Sequence, residues 1–401
     1  MKINTIAFAV AGSLALSSSM SAVASDDIKF FGYANYGMQY EHDGMNQIAV
    51  DGKFNGNTLG ALGNGGHGGE FGLGKDFTGD NGSVWDVGVM VDEWTGGSAI
   101  NLAQFWAGGT NLLDSNPDAY FWAGRKFNMR KQSGLNDYYW SMYSGLGVGV
   151  DNYDLGAVRL DTSIVQANEG DPSTYAWTAR AHDIELTNDL KFEVFGSIGF
   201  GRQEITDTTS GDGTGEYEAR DTNYQLGTIL DYKNGHQLRM MYQDGVDAGN
   251  WAASTYFYKE DATRLYVQLE GGFQIQDNTN IAYSVVYGKG ENMMYNWGSD
   301  NYDADEISLI VRPKHQWNNM QSTWFELGYS QVKFGENTVG IEDGDINSGV
   351  KATLQHNWAV GGFEWSRPML SAYATYGDVS NDAKDTKLDA LIAGVKFEAW
   401  W

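Results

Sequence analysis

The sequence predicts an all-β fold, a transmembrane antiparallel β-barrel. Three observations predict it. The last strand, KLDALIAGVKFEAWW from Lys387 to Trp401, alternates: Leu391, Ala393, Val395, Phe397, Ala399 and Trp401 share one face, Lys396, Glu398 and Trp400 the other. Successive side chains of a strand point to opposite sides, so one face suits hydrocarbon and the other water. The chain also opens as an export signal: Lys2, an apolar run from Ile6 to Leu16, and the small-residue site Ala22-Val23-Ala24. That run is too short to span a bilayer, and no later stretch approaches the roughly 18 apolar residues of a spanning helix. Finally, aromatics make up 14% and glycine numbers 52 against only 4 prolines, a profile of many strands, tight turns and aromatic girdles.

Residues 1–24 are therefore expected to be a signal peptide and residues 25–401 one barrel domain. There is no cysteine, so stability does not depend on disulfides. The formal charge of −26 argues against nucleic acid, which wants a basic footprint. A secreted acidic sugar-binding β-protein would share this charge and composition; strand pattern and chain ends must separate the two.

The first strand is expected over about Ile28–Tyr40, with Phe30, Ala34, Tyr36, Met38 and Tyr40 on one face and Phe31, Tyr33, Asn35 and Gln39 on the other. Because an open edge does not survive in lipid, it should pair with the last strand. Asp43–Gly60 reads as a polar, glycine-rich loop. The glycines from Gly63 to Gly69 lack the Gly-Lys-Ser/Thr of a phosphate loop and read as a wall strand, with Phe71 and Leu73 outward and Gly68 and Glu70 inward. Val84–Val91 is a strand, followed by Asp92-Glu93-Trp94 and a loop; Gln104–Leu112 and Tyr120–Phe127 follow. Met129–Trp140 mixes charges and rings without alternation, which suggests a structured loop. Further alternating segments lie at Val158–Val165, Asp183–Thr187, Leu190–Gly201, Tyr224–Tyr232, Gln237–Gln243, Arg264–Gln274, Asn280–Tyr287, Glu306–Lys314, Ser322–Lys333, Gly349–Trp358 and Glu364–Tyr376. Most match the length of a tilted membrane strand.

No catalytic motif stands out. The six histidines form no His-Glu-x-x-His pair, there is no Gly-x-Ser-x-Gly elbow, and paired carboxylates say little in a chain with 52 acids. No cofactor is implied. Asp300, Asp303 and Asp305 are close enough to suggest a calcium loop, but the spacing is not that of an EF-hand, and a solvated loop is the better reading.

Several motifs, in order, span the mature chain: Phe31-Gly32-Tyr33-Ala34, Trp122-Ala123-Gly124-Arg125-Lys126-Phe127, Asp137-Tyr138-Tyr139-Trp140, Val311-Arg312-Pro313, Glu326-Leu327-Gly328-Tyr329, Trp365-Ser366-Arg367-Pro368 and Trp400-Trp401. With them the chain resembles the maltoporin family of sugar-specific porins in Gram-negative outer membranes. The resemblance implies about 18 antiparallel strands, an inward-folded third loop at the constriction, a homotrimer in outer-membrane lipid, and oligosaccharide substrates, maltodextrin-like above all. It also implies a line of lumen aromatics that bind the apolar faces of sugar rings weakly enough to let them move on. Tyr33, Trp365 and Trp400 match that line, and Trp94 matches a ring that a neighbouring subunit contributes. Strand parity separately puts Tyr33 and Trp400 on a lumen face, and Trp365 with Arg367, Ser371 and Tyr373. Arg130, Tyr138, Glu70, Asn136 and Asp137 match the constriction and polar track. The chain departs from the pattern near Gly68 and Gly235, where rings are missing and His67 and His236 stand alongside, and at Asn35, Ala61 and about Ala103, where arginines are missing. A general, cation-leaning porin is the alternative.

Overall fold

The computed structural model describes residues 28–42, 47–94, 99–166, 175–205, 216–219, 221–233, 235–246, 253–256, 258–294, 301–336, 338, 341–360 and 366–401. The expected signal peptide, Trp365 and Asp300 lie outside them.

The chain runs through β1 (Lys29–Glu41), β2 (His67–Thr78), β3 (Val84–Trp94), β4 (Asn101–Thr110) and β5 (Tyr120–Lys126). A small hairpin of β6 (Lys131–Ser133) and β7 (Tyr138–Ser141) follows, then β8 (Gly145–Asp154), β9 (Arg159–Gln166), β10 (Tyr175–Thr187) and β11 (Leu190–Phe200). After a second hairpin of β12 (Arg202–Ile205) and β13 (Glu216–Ala219) come β14 (Asn223–Tyr232), β15 (His236–Val246), β16 (Tyr258–Gln276), β17 (Thr279–Met294) and β18 (Asn301–Gln316). The chain ends in β19 (Gln321–Phe334), β20 (Ile346–Ala359), β21 (Met369–Asn381) and β22 (Thr386–Trp400). Apart from the two hairpins, the strands form one 18-stranded antiparallel sheet, each paired with the next wall strand. The sheet closes where β1 pairs with β22, from Tyr33↔Trp400 to Glu41↔Ile392. Closure removes every edge, which hydrocarbon demands.

The wall is inside-out relative to a soluble protein. Glu306, Glu326, Gln268 and Ser330 are fully buried toward the bore, while Leu327, Leu354 and Leu370 are half exposed or more on the outside. Short turns gather at one rim; the longer loops, beginning with residues 42–66 and 127–144, gather at the other. The last residue is tied in: the Gly32 N–H donates to the Trp401 carbonyl (3.2 Å) and the Trp401 N–H to the Gly32 carbonyl (3.3 Å). The Trp401 indole lies outside, 5.2 Å from Phe30 and 5.4 Å from Phe71. Trp400 faces the other way, as alternation requires.

Phe397 is on the outer face, stacked on Tyr36 at 5.9 Å. Phe397→Lys should therefore lower recovery of heat-modifiable protein from outer membranes, since a lipid-facing lysine costs about 2–4 kcal/mol at mid-bilayer. Wild-type recovery would count against this orientation.

Some expected boundaries move. Trp94 is the last residue of β3 and not part of a loop. Strand β8 is absent from the alternating segments of the sequence because its inner face is almost bare: the Trp122 ring fills the space where a Gly149 Cβ would sit, 2.7 Å away. Strand β21 begins at Met369 and not at Glu364. Pro368 has no N–H for the ladder, so the strand starts after it. The parity that tied Trp365 to Ser371 and Tyr373 therefore does not apply, although Ser371, Tyr373 and Thr375 do face inward, buried.

Candidate functional site in the narrowed bore

Among the described residues two long loops fold into the bore, beside a shorter inward segment at 253–256, and of the two long ones only the later is expected from sequence. The first, described from residue 47 to 66, buries Ile48, Val50, Phe54 and Leu59 against Val332, Phe334, Tyr373 and Ile392 of the wall. Inside a barrel its backbone needs partners other than bulk water, and charged wall residues supply them. Glu306 accepts from the Phe54 N–H (2.6 Å) and the Asn55 amide (3.0 Å). Glu326 accepts from the Leu62 N–H (2.9 Å). Lys351 donates to the Gly60 carbonyl (2.6 Å) and Asn64 Oδ1 (2.9 Å), and Arg264 to the Phe54 carbonyl and Asn55 Oδ1 (2.7 Å).

The third loop, residues 127–144, carries the β6–β7 hairpin. Tyr138, Trp140 and Tyr143 are buried against Phe195, Met241 and Tyr266. Lys131 reaches Glu193 (2.6 Å); burial and the neighbouring Arg180 guanidinium lower the ammonium's pKa, and Glu193 opposes them. The two loops knit together: the Asn57 N–H donates to the Asn136 carbonyl (2.6 Å) and the Ala61 N–H to the Leu135 carbonyl (3.0 Å). The third loop is also bonded through Tyr139 and Met142 to Ala253 of a further inward segment. These loops lie against the wall from β9, where the Asn128 amide donates to the Ser163 hydroxyl (2.8 Å), round to the long-loop end of β22, where Ile48 and Ile392 share one cluster; the lower part of β22, with β1, β2 and β3, forms the remaining side.

That side carries the aromatic line. Trp94 stacks on Tyr33 with ring centroids 6.1 Å apart and planes 29° apart. The Tyr33 hydroxyl donates to Glu398 (3.1 Å). Arg367 grips the same carboxylate (Nε 3.0 Å, Nη2 2.6 Å) and lies 4.0 Å over the Trp400 ring. Sugar-sized apolar surfaces and hydrogen-bonding groups thus alternate along one wall.

Opposite, the Arg130 guanidinium sits between the Phe127 ring (4.2 Å) and the Tyr139 ring (4.4 Å). It donates to the Tyr139 hydroxyl (2.8 Å) and forms an ion pair with Glu70 (3.5 Å). It therefore ties the third loop to β2. Burial pushes the Tyr139 hydroxyl up to about 12, with Arg130 pulling it down. Asp137, exposed at the hairpin turn, takes a hydrogen bond from Gln132 and lies within electrostatic reach of Glu398 and Lys396 across the bore.

The expected residues thus separate. Tyr33, Trp94, Trp400, Glu70, Arg130 and Asp137 come together around the path. Tyr138 does not: it is fully buried, its ring 5.5 Å from Tyr266. Neither does Asn136, fully buried, whose amide donates to the Asn55 carbonyl (2.8 Å) and whose oxygen takes the Ser133 hydroxyl. Both hold the loops to each other and to the wall. Trp94 rests on Tyr33 of its own chain, where a ring from a neighbouring subunit was expected. His67 and His236 do not replace the missing rings, because both are on the outer face: His67 beside Tyr36 (6.5 Å), His236 beside Phe273 (5.1 Å) and bonded to Tyr283 (2.9 Å). Glu398, Arg367 and Tyr139 were missed as site residues. Parity with Trp400 flags Glu398; nothing in the sequence shows which way the hairpin turns Tyr139. Of the calcium candidates, Asp303 accepts the Asn292 N–H (2.8 Å) and Asp305 the Tyr287 hydroxyl (3.0 Å). Among the described residues, no three acids or histidines gather as metal ligands.

Comparison with known proteins places this geometry. The family model described as LamB porin matches residues 28–401. A maltoporin of Vibrio cholerae serotype O1 is 28% identical over the whole of both chains. Maltoporin 1 of Aeromonas salmonicida is 26% identical, covering 97% of this chain and 98% of its own. Among solved structures, OccD3 of Pseudomonas aeruginosa superposes with a TM-score of 0.51 at 14% identity, covering 92% of this chain and 90% of that one. That likeness concerns the fold alone.

Proposed function

The chain belongs to the LamB porin family, and from that premise we propose that it is a passive channel for oligosaccharides, maltodextrin-like sugars foremost, guided along Trp94, Tyr33 and Trp400. It is a sugar porin of the Gram-negative outer membrane. One observation carries the track: the three rings share the open side of the bore, with Glu398, Arg367, Glu70 and Arg130 beside them. The rings meet the apolar faces of a sugar, and the charged groups exchange hydrogen bonds with its hydroxyls. Each contact is small, so the sugar binds without being trapped. Asp137 at the hairpin turn and the Arg130–Glu70 bridge set the narrow point. Trp365 completes the track in this reading, and no catalytic step is assigned.

We also infer a homotrimer. On the outer face the Tyr36 hydroxyl donates to Glu93 (2.6 Å), and a carboxylate turned toward hydrocarbon is costly. A neighbouring subunit over this face would remove that cost.

The test is single-channel conductance with a panel of neutral oligosaccharides and a reversal-potential measurement in a salt gradient. Concentration-dependent block by linear glucose oligomers is expected. Absence of block by every sugar, with cation preference that fades as salt rises and the Debye length falls from about 30 Å at 0.01 M to about 3 Å at 1 M, would favour a general porin instead.

A further inference from the structure

We propose that Gly68 is a positioning residue: its missing side chain seats the Trp94 indole against Tyr33, which carries the aromatic track to the long-loop rim within a single subunit. The proposal rests on the sugar-channel reading.

The geometry is unusual for neighbouring rings on a sheet. Tyr33 is on β1 and Trp94 on β3, with β2 between them, so their backbones are about 9–10 Å apart, two strand spacings. Their rings nevertheless stack at 6.1 Å. Gly68 lies between, paired with Asn35 on one side and Trp94 on the other. A Cβ at Gly68 would stand 2.6 Å from Trp94 Cε3 and 2.4 Å from the Glu93 carbonyl oxygen. A side chain there would press on the indole and on the β3 backbone that carries it, with Trp94 Cα 2.8 Å away. The backbone agrees, since φ at Gly68 is +153°, where glycine is at ease.

Seated this way, Trp94 is 38% exposed. It ends β3 at the long-loop rim, whereas Trp400 ends β22 at the short-turn rim. Yet Trp400 pairs directly with Tyr33. The three rings therefore form one diagonal patch, with Trp94 on its long-loop side, the first of them that a sugar meets from that side. The absent ring on β2 leaves no gap, because the ring from β3 occupies its place.

The experiment measures sugar association rates in planar bilayers with the full-length protein, adding a linear glucose oligomer to one side at a time. Trp94→Ala should slow association from the long-loop side roughly three- to tenfold and change the opposite side less, and Trp94→Phe should recover much of the loss. Gly68→Ala should reproduce the one-sided defect, and Gly68→Ala with Trp94→Ala should be no worse than Trp94→Ala alone. An additive double variant, or equal slowing from both sides, overturns the seat. If Gly68→Ala alone fails to assemble, assembly regained in the double variant supports the seat. Failure of both while Trp94→Ala assembles assigns Gly68 to strand geometry and overturns it. Trp400→Ala separates the two levels: if it weakens block while the Gly68 and Trp94 variants do not, only this inference fails. If none of the three changes block, the aromatic track is not the guide; if the unaltered protein shows no block by any sugar, the sugar-channel reading itself fails.

Discussion

Glu326→Ala should produce a wider and less stable channel. The carboxylate is fully buried on the inner wall of β19. It accepts the Leu62 N–H at 2.9 Å and two bonds from Arg312, Nε at 2.8 Å and Nη2 at 2.5 Å. Truncation leaves a nearly buried guanidinium without its counter-charge. Breaking a buried pair from one side costs about 3–5 kcal/mol, because the remaining charge is stranded. It also releases the first loop where that loop lines the bore. Single-channel conductance should rise, and the heat-induced gel shift should occur at a lower temperature. Glu326→Gln keeps the shape and an acceptor but loses the charge, so it should fall between. An alanine variant with unchanged conductance and unchanged heat stability would show that the first loop is held in place by its apolar packing alone.

The second large effect concerns two adjacent tryptophans with opposite duties. Trp400→Ala removes a lumen ring and should weaken sugar block roughly five- to thirtyfold. This follows if a stacking contact is worth about 1–2 kcal/mol, as base–aromatic stacking is, at about tenfold per 1.4 kcal/mol. Ion conductance should stay level or rise, since a bulky ring has left the path. Trp401→Ala removes the ring packed on Phe30 and Phe71 outside and should lower assembly more than sugar affinity. Titrating block on folded protein of both variants decides. If neither changes sugar block, the aromatic track is not the guide.

Much of the barrel was legible because its wall obeys a period of two. Alternation in β22 placed Trp400 inside and Trp401 outside from the sequence, and the pairing of β1 with β22 followed from the need to remove an edge. What lies inside the wall was less legible. The first loop reads as polar and glycine-rich, yet Phe54 and Leu59 are buried in the bore, because its carbonyls and amides find Lys351, Arg264, Glu306 and Glu326 there. Those charges sit on strands more than 200 residues later, and no local pattern links them. Tyr138 and Tyr139 show the same limit: adjacent residues in a short hairpin face opposite ways, one sealed against Tyr266 and one beside Arg130. Motif likeness singled out the segment but did not tell which of its two tyrosines is buried and which lies beside Arg130.

The first loop also has a history that its contacts dictate. Its hydrogen bonds to the charged wall residues join positions about 210 to 290 apart, and the closing contact between Tyr33 and Glu398 joins residues 365 apart. Contacts so distant form slowly, because the intervening chain must first be ordered. The loop is made early, but its anchors on β18, β19 and β20 come near the end of synthesis. A half-zippered wall would therefore have an unlined interior, with the loop still hydrated. Lining then acts as proofreading. A strand displaced by one residue turns every side chain to the opposite face, so a slip in β18, β19 or β20 would point Glu306, Glu326 or Lys351 at the lipid and leave the loop with nothing to hold. Only a barrel zipped in the correct register can narrow its own bore.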